Sequence, residues 1–360
     1  MTQLWGVLMA GGSGTRFWPE SRGARPKQLL PLGGATPLLA RTSERLGELI
    51  PPEQQMVITS ARTVDAVRDL LPEIPAEQVI GEPEGRDTAP CLGLAGALLS
   101  KLAPDATAVA MPSDHLIEPE PLFREHLDAA RVVLKERPEA VLVFGIEPDH
   151  AATGYGWLRC GARVDSKSPK PVHALDAFLE KPERAAAEQL LAAGGHLWNA
   201  GLFAFRPDGL RAAFDVHLPE MGAALDRIAA SYGSKQFTST LRADFPTLTK
   251  ISIDFGVMEK LAGALVMPLP VQWDDVGAWG ALARLTAPDA EGNSVSGEAV
   301  LQDAKRCLVS SRGGVVAVRG VDDLIVVHTP DASLVCRRND EQGVKQIVDE
   351  LRARGLEQYL

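Results

Sequence analysis

The segment GGSGTRFWPESRGARPKQLL, at positions 11 to 30, combines a run of glycines with two spaced cations. Gly11, Gly12 and Gly14 follow a short apolar run, and successive glycine amides can line a polyphosphate. Arg16 comes two residues after the last of these glycines, and its guanidinium can clamp an anion through paired hydrogen bonds. Lys27 lies eleven positions beyond Arg16 and can return to the same place as a point charge. These residue types predict binding of a phosphate chain.

The glycine segment differs from three well-known glycine motifs. A Walker loop ends in Gly-Lys-Ser or Gly-Lys-Thr, which this segment lacks. The dinucleotide fingerprint needs a third glycine where Phe17 stands, and the nucleophile elbow needs a glycine where Thr15 stands. The segment is therefore typical neither of these nucleotide sites nor of a serine hydrolase.

Around this segment, short apolar runs alternate with helix-like segments. Strands are predicted over LWGVLMA, QMVITS, QVIGE, AVAMPSD and AVLVFGI, and helices over PLLARTSERLGELI, TVDAVRDLL and TAPCLGLAGALLSKL. This alternation is typical of an α/β fold with a Rossmann-like, mostly parallel sheet that is covered on both faces. Ligands of such sheets bind at the carboxyl ends of the strands, where the glycine segment, GEPEGRDTAP and PSDH all fall.

The pattern changes after residue 285 to short strands at close spacing, with Gly and Asp at the turns. The runs EAVLQDA, CLVSS, VVAVRGV, DLIVVHT and SLVCRR predict a second, all-β unit, and EQGVKQIVDELRARG predicts a helix that closes it. The predicted domains are therefore an α/β domain over residues 1–287 and a small all-β domain with a terminal helix over residues 288–360.

Composition limits the partners of the chain. Its formal net charge of −10 provides no broad basic field for nucleic acid or for an anionic membrane, so an anionic substrate must be held by local cations or by a metal. The four cysteines are far apart, which fits neither a zinc cluster nor a disulfide framework. The apolar run near the N-terminus is too short for a signal or membrane helix. We therefore expect a cytoplasmic protein.

Several further motifs follow the glycine segment in order: EPEGRDTAP, PSDH, GYG, FLEKP, WNAGLFAF, SIDFGVMEK and WDDVGAW. Together with GGSGTRFWP and PKQLL, they resemble the signature of the sugar-phosphate nucleotidyltransferases, and they span Gly11 to Trp279. The resemblance is strongest to the branch of the family that forms GDP-mannose. It implies a nucleotide-binding α/β domain followed by a small left-handed β-helix-like domain.

The reaction that the resemblance implies is transfer of GMP from GTP to mannose 1-phosphate, with release of pyrophosphate. An oxygen of the sugar phosphate attacks the α-phosphorus in line. This nucleophile is already an anion at neutral pH, so the chemistry needs neutralised charge and aligned reactants rather than a general base. Arg16, Lys27 and Lys181 are the catalytic cations that the resemblance implies.

The resemblance also implies a nucleotide site. Glu82 is the candidate for reading the base, because one carboxylate can accept both adjacent donors of guanine, its ring NH and its exocyclic amine. Related enzymes that use uridine or thymidine nucleotides have Gln in this neighbourhood. The other implied nucleotide-binding residues are Gly11, Gly12, Ser13, Gly14, Thr15, Gly85, Asp87 and Thr88.

By the same resemblance, Asp114 and Asp275 hold one Mg²⁺, for which hard carboxylate oxygens at the end of a sheet are suitable ligands. Asp274 is the alternative to Asp275, although we expect it to be a helix N-cap before VGAWGALARL. His115 is expected to be structural, because magnesium prefers oxygen ligands.

The implied sugar-phosphate site contains Lys181 for the phosphate and Glu180 for the sugar hydroxyls. Asn199 carries both donors and an acceptor and is a second sugar contact. The remaining candidates are Gly154 and Gly156, which allow close approach of the backbone, and Asp254. Trp198 and Trp273 are expected to pack in the core.

Two alternative functions remain open from the sequence. One is the same chemistry on another pair of substrates, such as glucose 1-phosphate with UTP or dTTP. The other is a non-catalytic protein that senses a nucleotide sugar and regulates a partner. We also expect a homodimer, since the apolar β segments near the C-terminus can supply a contact between subunits.

Overall fold

The computed structural model describes residues 2–12 and 14–360. The strands are β1 Leu4–Ala10, β2 Gln55–Ser60, β3 Val79–Glu82, β4 Thr107–Pro112, β5 Leu116–Glu118, β6 Val141–Ile146, β7 Trp157–Arg163, β8 His173–Leu179, β9 His196–Phe205, β10 Leu265–Pro268, β11 Gln272–Asp274, β12 Ser294–Ser296, β13 Ala299–Gln302, β14 Leu308–Ser311, β15 Val316–Arg319, β16 Leu324–His328 and β17 Ser333–Arg337. The helices are α1 Leu38–Leu46, α2 Val64–Leu70, α3 Thr88–Leu102, α4 Glu120–Glu136, α5 Arg184–Ala193, α6 Pro207–His217, α7 Pro219–Ala230, α8 Phe237–Asp244, α9 Trp279–Leu285 and α10 Val344–Ala353.

The chain forms two compact units, each made of several segments. The first contains the residues up to Gly11, Thr42–Ser113 and Ile117–Trp273; the second contains Gly12–Arg41, Asp114–Leu116 and Asp274–Leu360. Because these units interleave along the sequence, they do not coincide with the predicted domains 1–287 and 288–360, and that division stays a prediction.

In the described part of the chain, the first unit is built on a nine-stranded sheet in the order β3-β2-β1-β4-β9-β6-β10-β8-β7. From β3 to β4 all pairings are parallel, with Leu8 of β1 opposite Val57 of β2 and Met111 of β4. Strand β1 is a continuous apolar run because both of its faces are covered.

The rest of the sheet is mixed, whereas the sequence predicts a mostly parallel one. Strand β9 lies antiparallel between β4 and β6, and β7 and β8 pair antiparallel with each other. Only β10 with β6 is parallel among the described pairings of this half. An apolar run indicates that a strand is buried but not its direction, so the sequence pattern could not have identified this reversal.

Helix α3 packs closely on α6 and α7 because two of its residues lack a side chain. A Cβ atom on Gly93 would lie 2.5 Å from Leu225 Cδ1, and one on Gly96 would lie 2.9 Å from Leu210 Cδ2. These contacts belong to the main core of the first unit, and they hold the N-terminus of α3 at a fixed place beside the end of β3.

The second unit contains a β-helix-like coil. Strands β12, β14 and β16 pair in parallel, as do β13 and β15, and β17 adds antiparallel to β16. A core shared by this coil, α10 and the segment before α1 contains Phe17, Trp18, Trp279, Ile325 and Val344. The predicted all-β tail and its closing helix are therefore confirmed, and the segment after the glycines packs on them.

Among the described residues, none of the helices is both long and apolar enough to span a bilayer.

Candidate functional site

The glycine segment makes a tight turn against the segment that contains Lys27. Gly12 and Gly14 have positive φ angles of 86° and 58°, which residues with a side chain adopt only with strain. A Cβ on Gly14 would lie 2.5 Å from Lys27 Cβ, so only glycine allows this approach. Thr15–Phe17 then form one turn of 3₁₀ helix, in which Arg16 is exposed. The predicted phosphate residue Ser13 lies outside the described residues.

Lys27 is buried among oxygen atoms, with 6% of its surface exposed. Its Nζ donates to the main-chain oxygen of Asp275 at 2.8 Å and lies 3.0 Å from Asp114 Oδ2. The ring of Phe17 lies beneath the ammonium, 5.6 Å away. One cation therefore joins three segments that are far apart in sequence, and all three belong to the second unit.

Asp114 remains ionised in this environment. Burial acts to raise the pKa of its carboxyl, but the charges of Lys27 and His115 and a hydrogen bond from Lys27 lower it more, so the net pKa lies below the ordinary value. His115 Nε2 lies 4.0 Å from Asp114 Oδ1. Asp114 thus offers a carboxylate, rather than a carboxylic acid, next to the buried ammonium.

The two neighbouring aspartates of WDDVG have different surroundings. Asp274 accepts hydrogen bonds from the Val276 amide at 2.7 Å and from Arg284 Nη2 at 2.7 Å, so both of its oxygens are used within the protein. Asp275 Oδ1 accepts a hydrogen bond from the Gly277 amide at 3.2 Å. Helix α9 begins at Trp279 with Ala278 as its N-cap, so the expectation that Asp274 caps this helix is wrong.

A divalent cation fits this part of the second unit by the chemistry of its donors. Asp114 and Asp275 supply hard oxygen ligands, and Mg²⁺ typically takes one or two carboxylates together with substrate phosphates and water. Within the residues that the structure describes, His, Cys, Asp and Glu form no group of three that could hold a metal by themselves.

The predicted sugar residues lie together in the first unit. Glu180 follows β8, its side chain is 10% exposed, and its Oε1 accepts a hydrogen bond from Lys181 Nζ at 2.6 Å. A Cβ on Gly156 would lie 2.6 Å from Glu180 Oε2, whereas one on Gly154 would meet no atom within 4 Å among the described residues. Gly156 is thus needed for the position of Glu180, and Gly154 borders open space.

Asn199 and Asp254 form the other half of this group. Asn199 Nδ2 donates to Asp254 Oδ1 at 3.0 Å, and Asn199 Oδ1 accepts from the Gly201 amide at 2.9 Å. Burial, and next the negative charge of Glu180, raise the pKa of Asp254 from 3.8 to about 6. The main-chain amide of Asn199 also donates to the carbonyl of Gly156 at 2.8 Å, which ties WNAGLF to GYG.

An aromatic cluster beside Asn199 was not predicted from the sequence. Trp198 is buried, and its ring centroid lies 4.6 Å from that of His150 and 5.2 Å from that of Tyr155. Tyr155 also contacts Trp273 at 4.9 Å. The sequence signal that could have indicated this cluster is the position of Tyr155, a large aromatic residue between the two glycines of GYG.

Glu82 ends β3 and points into the protein. It is 8% exposed, and its Oε1 has no hydrogen-bond partner among residues 2–12 and 14–360. Burial raises the pKa of its carboxyl from 4.5 to about 7, and a hydrogen bond with the Cys91 thiol lowers it by less. A buried acceptor without a donor costs free energy unless a ligand supplies one. This geometry is compatible with the predicted contact to a base.

The residues after Glu82 join the base motif to SIDFG. Asp87 has a positive φ of 70°, and its Oδ1 caps α3 by accepting from the Thr88 amide at 2.8 Å. Thr88 Oγ1 accepts from the Ile253 amide at 2.9 Å. Gly85 is exposed, and Arg86, which was not predicted, pairs with Glu84 at 3.0 Å. Thr88 therefore connects the predicted nucleotide residues with Asp254 of the sugar group.

Replacing Glu82 with Gln should change how stability depends on pH. A raised folded-state pKa stabilises the fold fully below about pH 4.5, and this stabilisation is lost as the pH rises through about 7. Gln does not titrate and does not lose this stabilisation. The free energy of unfolding of Glu82→Gln, relative to that of wild type, should therefore be about 3 kcal/mol higher at pH 8 than at about pH 4.5. Urea unfolding of both proteins at the two pH values measures this. Parallel pH profiles would show that the pKa of Glu82 is not raised.

Comparison with known proteins identifies the family. A model of the Nucleotidyl transferase family matches residues 5–292, and a model described as MannoseP isomerase/GMP-like beta-helix domain matches residues 297–351. A protein named mannose-1-phosphate guanylyltransferase from Klebsiella pneumoniae is 35% identical over 98% of this chain and 75% of its own length. The alginate biosynthesis protein AlgA of Pseudomonas aeruginosa is 34% identical over 97% of this chain and 72% of its own length.

A solved structure has the same fold over nearly the whole chain. It is named as a mannose-1-phosphate geranyltransferase from Thermus thermophilus, and it is 34% identical with a TM-score of 0.87. The match covers 98% of this chain and 100% of that one. The sequence matches over both parts of the chain and this structural match lead to one conclusion: the chain is a member of the nucleotidyl transferase family, with a β-helix domain after the catalytic region.

Proposed function

We propose that this protein transfers GMP from GTP to mannose 1-phosphate and releases pyrophosphate. The observation that carries the proposal is the buried Lys27, whose ammonium contacts Asp114 and the Asp275 main chain beside a glycine turn. Relatives that are 35% identical over nearly all of this chain are named mannose-1-phosphate guanylyltransferase, and this supports the choice of substrates.

In the proposed reaction, Lys27 and Arg16 act on the phosphates of GTP. The amides of Gly11, Gly12 and Gly14 line the chain of phosphates, and the two cations stabilise the negative charge that grows as pyrophosphate leaves. Lys27 is held in place by its oxygen partners, so its charge needs little reorganisation during the reaction. Arg16 is exposed and can close on the substrate from solvent.

Enzymes of this family work with a divalent metal, and we propose Mg²⁺ held by Asp114 and Asp275. When bound, Mg²⁺ neutralises phosphate charge and aligns the attacking oxygen with the α-phosphorus. The lowered pKa of Asp114 keeps this ligand ionised at neutral pH. Asp274 instead holds the turn that presents Asp275, through its bonds to Val276 and Arg284.

We propose that the first unit recognises the sugar phosphate through Lys181, Glu180, Asn199 and Asp254. The Lys181 side chain is 63% exposed and can leave Glu180 for a phosphate, while Glu180 is largely buried and keeps its position for sugar hydroxyls. Asn199 offers both a donor and an acceptor. The base is read by Glu82, with Gly85, Asp87 and Thr88 at the start of α3 beside it.

We also propose a homodimer that works in the cytoplasm. Val300, Val315 and Val335 are each at least 60% exposed on or beside the strands of the coil, and they support a contact between subunits there. All four cysteines are free thiols, which supports a reducing compartment. Sedimentation of the purified protein at several concentrations tests the dimer.

A pyrophosphate-release assay tests the proposed reaction. Four nucleoside triphosphates are each combined with mannose 1-phosphate and with glucose 1-phosphate, and kcat/KM is measured for each pair. GTP with mannose 1-phosphate should give the highest value. A higher value for UTP or dTTP with glucose 1-phosphate would replace the proposed substrates. Binding of the nucleotide sugar without any pyrophosphate release would favour a sensor.

Replacing Lys27 with Met keeps the length of the side chain but removes its charge. Turnover at saturating substrates should fall by about 10²- to 10³-fold, the usual effect of one well-placed electrostatic contact. Lys170→Met is the matched control, because Lys170 forms an exposed ion pair with Glu125. Wild-type turnover in Lys27→Met at saturation would remove Lys27 from the phosphate site.

The assignment of the metal ligands predicts different behaviour for the two neighbouring aspartates. Asp275→Asn and Asp114→Asn should each raise the Mg²⁺ concentration needed for half-maximal activity, because each removes a charged ligand. Asp274→Asn should shift it much less but lower the free energy of unfolding by about 1–3 kcal/mol, since it weakens the bonds to Arg284 and Val276. A larger metal shift for Asp274→Asn than for Asp275→Asn would exchange the two roles.

The choice of base is tested with Glu82→Gln and two nucleotides. Gln turns one acceptor into an amine that faces a guanine donor, at a cost of about 1–3 kcal/mol, so kcat/KM for GTP should fall about ten- to a hundredfold. ITP lacks the exocyclic amine, so the difference in kcat/KM between GTP and ITP should be smaller in the variant than in wild type. Mannose 1-phosphate affinity should stay near wild type. An unchanged GTP/ITP ratio would exclude Glu82 from the base site.

A further inference from the structure

The residues that follow the glycines form a compact turn in the second unit. The Phe17 amide donates to the carbonyl of Gly14 at 2.9 Å, and the Trp18 amide donates to that of Thr15 at 3.1 Å. The Ser21 hydroxyl returns to the carbonyl of Gly14 at 2.7 Å, and its amide donates to Phe17 at 3.0 Å. The turn is therefore closed by its own hydrogen bonds. A contact that fixes the Ser21 end of the turn also restrains Gly14 at the other end.

Glu20 attaches this turn to the coil. The residue is 8% exposed, and its Oε1 accepts a hydrogen bond from Ser310 Oγ at 2.6 Å. Its Oε2 accepts from Arg312 Nε at 3.1 Å, and the Arg312 side chain is 39% exposed. A buried carboxylate is tolerated only where it is paired in this way. The partners are 290 and 292 residues away in sequence, so this is a tertiary contact and not part of the turn.

A second set of contacts holds the same turn from the other side. Trp18 Nε1 donates to the main-chain oxygen of Tyr359 at 2.8 Å, and Arg22 donates to the same oxygen. Arg22 also pairs with Asp331 at 2.8 Å. Trp279 Nε1 donates to the carbonyl of Trp18 at 3.1 Å.

The coil is a rigid support for these contacts. Ser310 belongs to β14, the middle strand of a parallel ladder, where it lies opposite Ser296 of β12 and Val327 of β16. Its backbone cannot shift without breaking pairings on both sides. A side chain bonded to Ser310 is therefore bonded to a strand that is paired on both sides.

We propose that Glu20 is a positioning residue, which uses Ser310 and Arg312 of the coil to set the glycine turn for the triphosphate. This inference rests on the proposed function, in which that turn binds GTP. Glu20 touches no phosphate. It acts through the Gly14–Ser21 turn, so the β-helix-like coil contributes to nucleotide binding although its own strands carry none of the assigned site residues.

Variants on the coil side of the contact test the proposal without changing the turn itself. Ser310→Ala and Arg312→Gln each remove one partner of Glu20. Arg306→Gln is the matched control, because Arg306 pairs with Asp323 at 2.7 Å in the same coil and contacts no residue of the turn in any described bond. Glu20→Gln keeps an acceptor for Ser310 and should be milder than Glu20→Ala.

Two measurements are made on each variant. Amide hydrogen exchange at Phe17, Trp18 and Ser21 should become about tenfold faster in Ser310→Ala and Arg312→Gln, as expected when a hydrogen bond to a charged group is lost, and should not change in Arg306→Gln. KM for GTP should rise about three- to tenfold, while KM for mannose 1-phosphate and kcat at saturation stay within about twofold of wild type. A general loss of folding would instead lower Tm and alter both KM values.

The two measurements separate the inference from the function on which it rests. Unchanged exchange at the three amides overturns the positioning role, whatever the activity. Faster exchange with an unchanged KM for GTP also overturns it, because the turn then moves without affecting the nucleotide. If wild type releases no pyrophosphate with any nucleotide, the proposed function fails; the role in nucleotide binding then fails with it, while exchange still reports whether Glu20 anchors the turn.

Discussion

The ammonium of Lys27 is the interaction on which the phosphate side of the site depends. A lysine with 6% exposure is rarely tolerated unless oxygen atoms surround it, and here a carboxylate and a main-chain carbonyl do so. The same contacts fix Asp114 after β4 and the turn that carries Asp275. Gly14 is required because any larger residue would push Lys27 away. One buried charge therefore determines the positions of the glycine turn and of both proposed metal ligands.

Backbone strain occurs both in the motifs that were predicted to bind substrate and in the coil, where Asp303, Arg306 and Asp323 have positive φ angles. Asp87, Lys181 and the β-branched Val276 have positive φ angles of 70°, 45° and 45°, a conformation that costs about 1–3 kcal/mol for each such residue. Each has a stabilising side-chain bond close by: Asp87 caps α3, Lys181 pairs with Glu180, and Asp274 accepts from the Val276 amide. These local bonds offset part of the cost of the strained backbone.

Much of the fold could be predicted from the sequence, for physical reasons that differ between elements. Lys27 does lie near Asp114, and Asn199 near Asp254, but the roles of these residues stay predictions. Apolar runs bounded by Gly, Pro and Asp identified β1 to β4 and β13 to β17, because burial and turn chemistry are local properties. The short strand β12 was missed. The direction of β9 is not local, and hydropathy does not record it. The ion pair of Asp274 with Arg284 joins residues of two different elements, so the sequence does not record it either. Glu20 was not singled out from the sequence, because Ser310 and Arg312 come near it only after folding.

An acidic protein that binds two anionic substrates needs cations that act at short range. With a formal net charge of −10, the long-range field of the chain does not attract phosphate. Salt would screen most of the attraction that an exposed lysine adds. A buried cation such as Lys27 is screened much less, but its strength depends on distance and on the exclusion of water. Displacing the glycine turn by even a fraction of an ångström therefore costs more here than in a protein with a basic cleft. That sensitivity is a reason for tying the turn, through Glu20, to the rigid ladder of the coil.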